Sequence, residues 1–324
     1  MKRINISLLG VLLFFASCNS QQEKKVNAEL LASMSGLSFT DSVSLDIADG
    51  ISSMYFENGK LVLERESSNP VFVTVSSQGG IDEQFVTKGH GHGEYMSPQL
   101  VGTHNGLFYI YDSPAKTWNS LHDGKLQHSR KLAIGHPSNQ MRLIMWPLVG
   151  YSYIDGNKDI WEVRNIESDK AVAQLTFEDE LEQEEGYLQS FSWDNYGKYV
   201  VFAQKYYNQI RLCSISKDGS ILSQSCFVFG TSRPDASKCF FSNVACGREF
   251  FFVLSQHQLE FASNTLTGDS ELLVFNYSGE IIERFVLDGQ YLKMTMDKEH
   301  DMLYLLNINE DCIKTFSLNQ RDRN

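Results

Sequence analysis

Three residues that can bind metal ions or exchange protons alternate in one glycine-rich segment, Gly89-His-Gly-His-Gly-Glu-Tyr95. In an extended strand, alternation would place the side chains of His90, His92 and Glu94 on one side. Imidazole and carboxylate groups placed in this way could share a transition metal or a polar ligand. Interleaved glycines are also typical of a tight loop, and that pattern favours a loop over a metal centre. We therefore assign the three residues as candidate ligand-binding residues and predict neither a metal nor a cofactor.

Aromatic and cationic side chains supply a second group of candidates. The four tryptophans and the Tyr206-Tyr207 pair could stack on sugar rings, although buried aromatic rings more often pack between layers of a fold. Trp146 lies in a stretch that also contains Arg142, and it is the best candidate for an exposed ring. Arg233 and the polar segment 256–270 are typical of loops, where binding surfaces are commonly built. We add Arg142, Trp146 and Arg233 to the candidate ligand-binding residues.

Two acidic segments could in principle bind a cation. The run from Asp155 to Asp159 places oxygen ligands at alternate positions, but Ile160 follows where a calcium loop requires glycine. A hairpin turn explains this run better. The six carboxylates between Glu178 and Glu185 are typical of a solvated connection between two structural units.

The N-terminus has the layout of an export signal. Lys2 and Arg3 precede an apolar stretch from residue 4 to residue 15, and two small residues then lead to Cys18. An uncleaved membrane helix is the alternative, but a membrane span needs about 20 apolar residues and this run is shorter. The sequence Phe-Ala-Ser-Cys resembles the lipobox of bacterial lipoproteins, which implies lipidation of Cys18. We predict a signal peptide over residues 1–17, a lipidated, flexible tether over 18–34 and a folded domain over 35–324.

Five cysteines follow Cys18, and an odd number leaves at least one thiol unpaired within the chain. Cys213 and Cys226 flank the turn Asp218-Gly219, but counting outward from that turn places Cys213 opposite Gln224, so the two thiols are out of register. Cys239 and Cys246 are close enough to bridge a loop, although packed thiols on buried strands are commoner. The disulfide status of Cys312 stays open.

Strand signals dominate the remaining sequence. Short runs rich in β-branched and aromatic residues begin at Lys60, Leu107, Tyr199, Phe250 and Met302. Dipeptides that favour two-residue hairpin turns separate the runs: Asn58-Gly59, Asn105-Gly106, Asp123-Gly124, Asp155-Gly156, Asp218-Gly219 and Ser278-Gly279. Long helical periodicity is absent, so the sequence predicts an all-β domain built from hairpins.

These hairpins recur at a regular spacing. Units begin near Met54, Val101, Tyr151, Phe191, Asn243 and Met294, about 40 to 52 residues apart, which is the length of a four-stranded propeller blade. The last unit has enough chain for only three strands, and residues 37–45 could supply the fourth. We predict a six-bladed β-propeller of four-stranded antiparallel blades that is closed by an N-terminal strand. A β-sandwich or two small β domains is the alternative.

The segment from Gly89 to Tyr95 carries a family resemblance. Gly91, Gly93, Glu94 and Tyr95 match the Gly-x-Gly-Pro-Gly-Glu-Tyr/Phe segment that follows the first blade in six-bladed propeller lipoproteins of Bacteroidetes, and the chain resembles these TolB-like and NHL-like proteins. The resemblance implies the fold and an exported protein anchored to a membrane, with the outer membrane expected. It implies much less about activity.

Charge and missing motifs narrow the function. A net charge of −12 repels phosphate backbones, so no nucleic-acid partner is expected. The sequence has no nucleophile elbow, zinc-protease helix, phosphate-binding loop or dinucleotide fingerprint. We predict a membrane-anchored binding or scaffold module for a protein or glycan partner in the cell envelope. The alternative is an enzyme, a hydrolase or lyase of an extracellular glycan or other polymer, with its site at the mouth of the propeller channel.

Overall fold

The structure is a computed structural model, and it describes residues 22–26, 35–36, 39, 41–45, 50–65, 67–76, 78–156, 158–178, 191–229, 239–256, 269–307 and 310–317. These residues form six separate sheets, each built on four antiparallel strands that make one blade. None of the elements in these ranges is a helix with the length and apolar character that a membrane span requires. The architecture is a six-bladed β-propeller, as the sequence predicted.

The strands are numbered β1 to β26 in chain order. Three short strands come first: β1 Gln22–Val26, β2 Ser35–Gly36 and β3 Asp41–Ser44. The first blade contains β4 Ile51–Glu57, β5 Lys60–Arg65, β6 Phe72–Val75 and β7 Ile81–Phe85. The second contains β8 Pro98–His104, β9 Leu107–Asp112, β10 Thr117–His122 and β11 Lys125–Lys131. The third contains β12 Gln140–Met145, β13 Leu148–Asp155, β14 Lys158–Asn165 and β15 Lys170–Glu178.

The second half of the chain repeats this pattern. The fourth blade contains β16 Phe191–Tyr196, β17 Tyr199–Gln204, β18 Gln209–Ile215 and β19 Ile221–Phe229. The fifth contains β20 Phe241–Cys246, β21 Phe250–Ser255, β22 Glu271–Asn276 and β23 Ile281–Val286. The sixth contains β24 Tyr291–Asp297, β25 Met302–Asn307 and β26 Cys312–Ser317.

The five strand runs singled out in the sequence are all second strands of their blades. Each of these strands pairs on both sides, as β9 does with β8 and β10. A strand in this position is covered by neighbouring blades on both faces, so nearly every side chain is apolar, as in β21 with its Phe-Phe-Phe-Val-Leu run. Three of the predicted turns, Asn58-Gly59, Asn105-Gly106 and Asp123-Gly124, have positive φ at both residues, as a primed hairpin turn requires.

The sixth blade is completed from the front of the chain. β3 pairs antiparallel with β26, and Val43 lies opposite Ile313. Leu45, which follows β3, is buried between the sixth and first blades. The N-terminal strand therefore closes the ring and covers a sheet edge that would otherwise be open.

Two further N-terminal strands lie along outer edges. β1 pairs in parallel with β19, the outermost strand of the fourth blade, and β2 pairs in parallel with β23 of the fifth. The chain therefore crosses three consecutive blade rims before the first blade begins. The sequence predicted a flexible tether over residues 22–26, and the structure instead has a strand there. Edge pairing uses backbone groups, so it does not require the apolar side chains on which that prediction relied.

The core is divided into six layers, one between each pair of neighbouring blades. Between the third and fourth blades, Trp161 and Trp193 pack edge to face with ring centroids 5.5 Å apart. The prediction that most aromatic residues pack between blades is confirmed for these two, and for Trp118, which is buried against Tyr109.

One predicted blade start is wrong. The third blade begins with β12 at Gln140, and Tyr151 lies in its second strand. The first hairpin of this blade turns at Trp146 and Pro147, so it lacks the Asn-Gly or Asp-Gly signal that marks most other hairpins. Five blade starts lie within three residues of the predicted positions, because those inner strands are followed by clearer turn or strand signals.

The described cysteines are all buried, and none of them forms a disulfide within the described residues: Cys213, Cys226, Cys239, Cys246 and Cys312. Cys213 lies opposite Gln224, as the count from the turn predicted. Burial raises the pKa of the Cys213 thiol to about 12 and that of Cys239 to about 11. These thiols are therefore packed side chains of the core.

Candidate functional site

The six inner strands, β4, β8, β12, β16, β20 and β24, line a central channel. Each blade is a four-stranded meander, so all six inner strands run in the same direction along the channel. Their N-terminal ends form one mouth, which we call the wide mouth, and their C-terminal ends form the other, the narrow mouth. Residues from separate repeats thus meet at each end.

Arg142 separates the two ends of the channel. Its side chain contributes to the walls of both a cavity of about 150 Å³ at the wide mouth and one of about 40 Å³ at the narrow mouth. The guanidinium carbon lies 5.2 Å from the centre of the Tyr55 ring, and Nη1 lies 3.4 Å from Asp194 Oδ1. The predicted ligand residue Arg142 is therefore a channel residue.

The narrow mouth contains a charged cluster that sequence reasoning missed. Lys298 Nζ lies 3.7 Å from Asp194 Oδ1 and donates a 2.6 Å hydrogen bond to the carbonyl oxygen of Asn195. The other Asp194 oxygen accepts a 2.8 Å hydrogen bond from the Cys246 amide. Glu57 accepts a 2.6 Å hydrogen bond from Thr103, and burial raises the pKa of its carboxyl group. Most polar atoms of the cluster therefore already form hydrogen bonds or ion pairs with neighbouring protein groups.

Trp146 lies in a different cavity, which we call the interblade pocket. It opens between the second and third blades, has a volume of about 330 Å³ and is lined mainly by apolar surface. Trp146 reaches it from the turn after β12, whereas Arg142 lies inside the channel. The sequence predicted an exposed ring at Trp146, whereas the ring is half-buried and packs against the core between these blades. The lining residues are Leu107, Tyr109, Trp118, Ser120, His128, Ser129, Arg130, Trp146 and Glu167.

The aromatic rings of the interblade pocket are held by their neighbours. Trp146 stacks on His104 with centroids 4.4 Å apart and nearly parallel planes, and it contacts Tyr109 at 5.3 Å. Its indole nitrogen donates a 3.1 Å hydrogen bond to Glu167. The ring is thus fixed by contacts from both blades.

Polar groups complete this pocket. Arg130 donates a hydrogen bond to the carbonyl oxygen of Ile166 and so joins the two blades. Ser120, only 4% exposed, lines the pocket, and its hydroxyl has no hydrogen-bond partner among the described residues. His128, Arg130 and Glu167 are exposed at the rim. The pocket therefore combines flat apolar rings with hydroxyl, imidazole, guanidinium and carboxylate groups.

The segment that contains His90 and His92 is a turn, which agrees with the loop interpretation and not with the extended alternative. The Gly91 amide donates a 2.7 Å hydrogen bond to the Glu94 carboxylate. A Cβ atom at Gly89 would lie 1.9 Å from the same carboxylate, which explains the small residue there. Tyr95 is buried between the first and second blades. Glu94 therefore fastens the loop, and the residue lines neither the channel nor the interblade pocket.

His90 and His92 are exposed on this loop and also line neither cavity. No group of three metal-ligating side chains occurs in the part of the chain that the structure describes. Asp155 and Asp159 belong to the β13–β14 hairpin, where Asp155 lies opposite Lys158, so the hairpin interpretation of that run is confirmed.

Several sequence predictions lie outside the described residues. They are Cys18, Arg233, residues 179–185 of the acidic run and residues 257–268 of the polar segment. The channel residues missed by sequence reasoning, such as Glu57, Asp194 and Lys298, occupy the ends of inner strands in different repeats. They occupy different positions relative to their strands, the seventh of β4, the fourth of β16 and the residue after β24, so no repeated sequence signal marks them.

Comparisons with known proteins bear on the fold. No family model matches the chain, and no curated protein matches it. Among solved structures, the chain is similar to a DUF4221 family member from Bacteroides vulgatus, with a TM-score of 0.56 and 12% identity over 86% of this chain and 96% of the other. It is also similar to a Bacteroides fragilis protein described as exported, with a TM-score of 0.54 and 13% identity over 88% of this chain and 86% of the other.

A third structure is the β-propeller domain of Cps50 (Swd1) from Myceliophteria thermophila, with a TM-score of 0.53 and 9% identity over 87% of this chain and 99% of the other. At identities this low, the three similarities concern the propeller fold alone.

Proposed function

We propose that this protein is an exported lipoprotein of the cell envelope that binds a glycan in the interblade pocket. The carrying observation is that Trp146 and Trp118 share this pocket with the buried hydroxyl of Ser120, which has no hydrogen-bond partner in the described part of the chain. Sugar rings have apolar C–H faces and polar edges. Indole rings can cover such a face, while the hydroxyl of Ser120 and the charged groups at the rim can bond to sugar hydroxyls.

The compartment is part of the proposal. The segment before Cys18 has the layout of an export signal, and the Gly91–Tyr95 motif resembles that of Bacteroidetes propeller lipoproteins. We assign the chain to this lipoprotein group on that motif, with TolB-like and NHL-like propellers as relatives; two Bacteroides proteins share its propeller fold. Attachment to the outer membrane is the expected location.

A lipid on Cys18 would orient the propeller. Only three residues lie between Cys18 and Gln22, where β1 begins on the rim of the fourth blade. The four residue-to-residue steps from Cys18 to Gln22 span at most about 14 Å. The rim of the fourth blade would therefore lie close to the membrane, and the interblade pocket would lie elsewhere on the ring.

Binding of the mature protein to an array of neutral and acidic oligosaccharides, followed by calorimetry, tests the proposal. Trp146→Ala should weaken binding of the best oligosaccharide at least tenfold, and Ser120→Ala should weaken it less. Because Trp146→Ala could disturb the contact with His104, Glu167→Gln provides a second variant with nearly the same shape. Glu249→Gln, an exposed carboxylate in the β20–β21 turn, is the matched control and should bind normally.

Two results would contradict the glycan proposal. One is a parent protein that binds no oligosaccharide in the array. The other is a Trp146→Ala variant that is folded and binds as the parent does. If, in addition, a defined envelope protein binds the parent with a stoichiometry of one, a protein partner would replace the glycan.

An enzyme remains the second candidate function because of the narrow mouth. There a buried carboxyl group with a raised pKa, Glu57, lies in the electrostatic field of Asp194, Lys298 and Arg142. Such a group could act as a general acid. Against this, the adjoining cavity is only about 40 Å³, too small for a sugar ring. Slow cleavage of a polysaccharide by the parent but not by Glu57→Gln would favour the enzyme.

A further inference from the structure

The wide mouth of the channel has a charge that is opposite to that of the protein as a whole. Arg142, Lys205 and Lys293 line its cavity of about 150 Å³, and no carboxylate lines it among the described residues. The whole chain has a net charge of −12. Three cations around a small polar cavity repel each other, and an anion between them would remove that cost.

The inner strands are shaped to present polar side chains here. β4, β20 and β24 each have a one-residue register shift just before their third residue. The third residues are Ser53, Asn243 and Lys293, and all three line the cavity. Strand irregularities of this kind redirect side chains and are common beside functional sites. The same register shift thus occurs in three blades at the same end of the channel.

Arg142 forms the floor of this cavity. Its Nε atom is buried and has no hydrogen-bond partner within the described ranges, although Nη1 contacts Asp194 on the narrow side. Lys205 lies in the connection after β17. Its backbone carbonyl oxygen accepts a 2.7 Å hydrogen bond from the Phe240 amide. The backbone that carries Lys205 is therefore held in place.

Carboxylates near these cations lie outside the cavity. Glu64 interacts electrostatically with Lys293, but its carboxylate accepts a 2.9 Å hydrogen bond from the Tyr55 hydroxyl. Asp194 is engaged at the narrow mouth with Lys298 and the Cys246 amide. Neither carboxylate lines the cavity, so the charged side chains of the described lining are the three cations, with serine and amide groups between them.

We propose that the wide mouth binds a small hydroxylated anion, with its carboxylate or phosphate group held by Arg142, Lys205 and Lys293. Ser53, Ser192 and Asn243 would bind its hydroxyl groups. This site is separate from the interblade pocket, and the proposal does not depend on glycan binding there. A volume of about 150 Å³ limits the ligand to roughly one sugar ring.

Calorimetry with the mature protein tests the proposal with four probes. Glucuronate carries a carboxylate, glucose 6-phosphate carries a phosphate, inorganic phosphate has no sugar ring, and glucose is the neutral control. We expect one of the two anionic sugars to bind, more tightly than inorganic phosphate, and glucose not to bind. The tighter of the two identifies the anionic group. Binding should weaken as the salt concentration rises.

Variants locate the site. Lys205→Met with Lys293→Met should weaken binding at least tenfold, while Lys170→Met, on the outermost strand of the third blade and exposed, should not change it. Trp146→Ala should also leave it unchanged, which distinguishes this site from the glycan site. The proposal is overturned if no anionic probe binds at millimolar concentration, if glucose binds equally well, or if the folded double variant binds as the parent does.

Discussion

Thr103, on the inner strand of the second blade, donates a 2.6 Å hydrogen bond to the carboxylate of Glu57 on the inner strand of the first. This bond joins two blades at the narrow mouth and opposes the rise that burial causes in the pKa of Glu57. The two residues are 46 positions apart in sequence. Their hydrogen bond links the ionisation of Glu57 in the channel to the contact between the first and second blades.

Thr103→Val should destabilise the protein in a pH-dependent way. The pKa of Glu57 is raised in the folded state, so the buried carboxylate destabilises the fold at pH values above that pKa. Protonation of Glu57 at lower pH removes this cost. Removing the donor should cost about 1–3 kcal/mol at pH 8 and less at pH 5. Urea unfolding at both pH values measures this. Thr176→Val, on the exposed face of β15, is the control, and an equal loss at both pH values would contradict the prediction.

Gly150→Ala should weaken the interface between the third and fourth blades. A Cβ atom at Gly150 would lie 2.7 Å from the Trp193 ring and 2.8 Å from the Trp161 ring. Rigid buried rings cannot move away easily, so we expect a loss of about 1–3 kcal/mol in the free energy of unfolding. Gly135→Ala, where a Cβ atom meets nothing within 4 Å, should change stability little. Equal melting temperatures for the two variants would refute this account.

The buried thiols should be unreactive in the native protein. Burial raises the pKa values of Cys213 and Cys239 to about 12 and about 11, so almost no thiolate is present at pH 8. We expect little reaction with a disulfide reagent in buffer and five reactive thiols per lipidated chain in guanidinium chloride. Fewer than five after unfolding under non-reducing conditions would indicate a disulfide.

Ring closure by β3 can be tested by truncation. A chain that starts at residue 35 keeps β3, whereas a chain that starts at residue 46 loses both the strand paired with β26 and the buried Leu45. The shorter chain should melt at a lower temperature and aggregate, because an open sheet edge invites pairing between molecules. Thermal unfolding and light scattering compare the two. Similar behaviour of both chains would show that closure contributes little.

Local features of the sequence predicted the fold well. The turn Asp218-Gly219 sets the register that places Cys213 opposite Gln224, and β21 is identified by its run of three phenylalanines. Turn preferences and strand composition depend on residues close together in the chain, so they can be read directly. The exception is the third blade, whose first hairpin turns at Trp146 and Pro147.

The sites required the tertiary structure. Arg142 and Trp146 are four residues apart, yet one side chain divides the central channel and the other lines a pocket between blades. Glu57, Asp194 and Lys298 converge although each comes from a different repeat. The sequence by itself determined that hairpins repeat, and it predicts an export signal over residues 1–17. Only the closed ring decided which side chains meet, because such contacts join strands that are distant in the chain, and no local pattern records them.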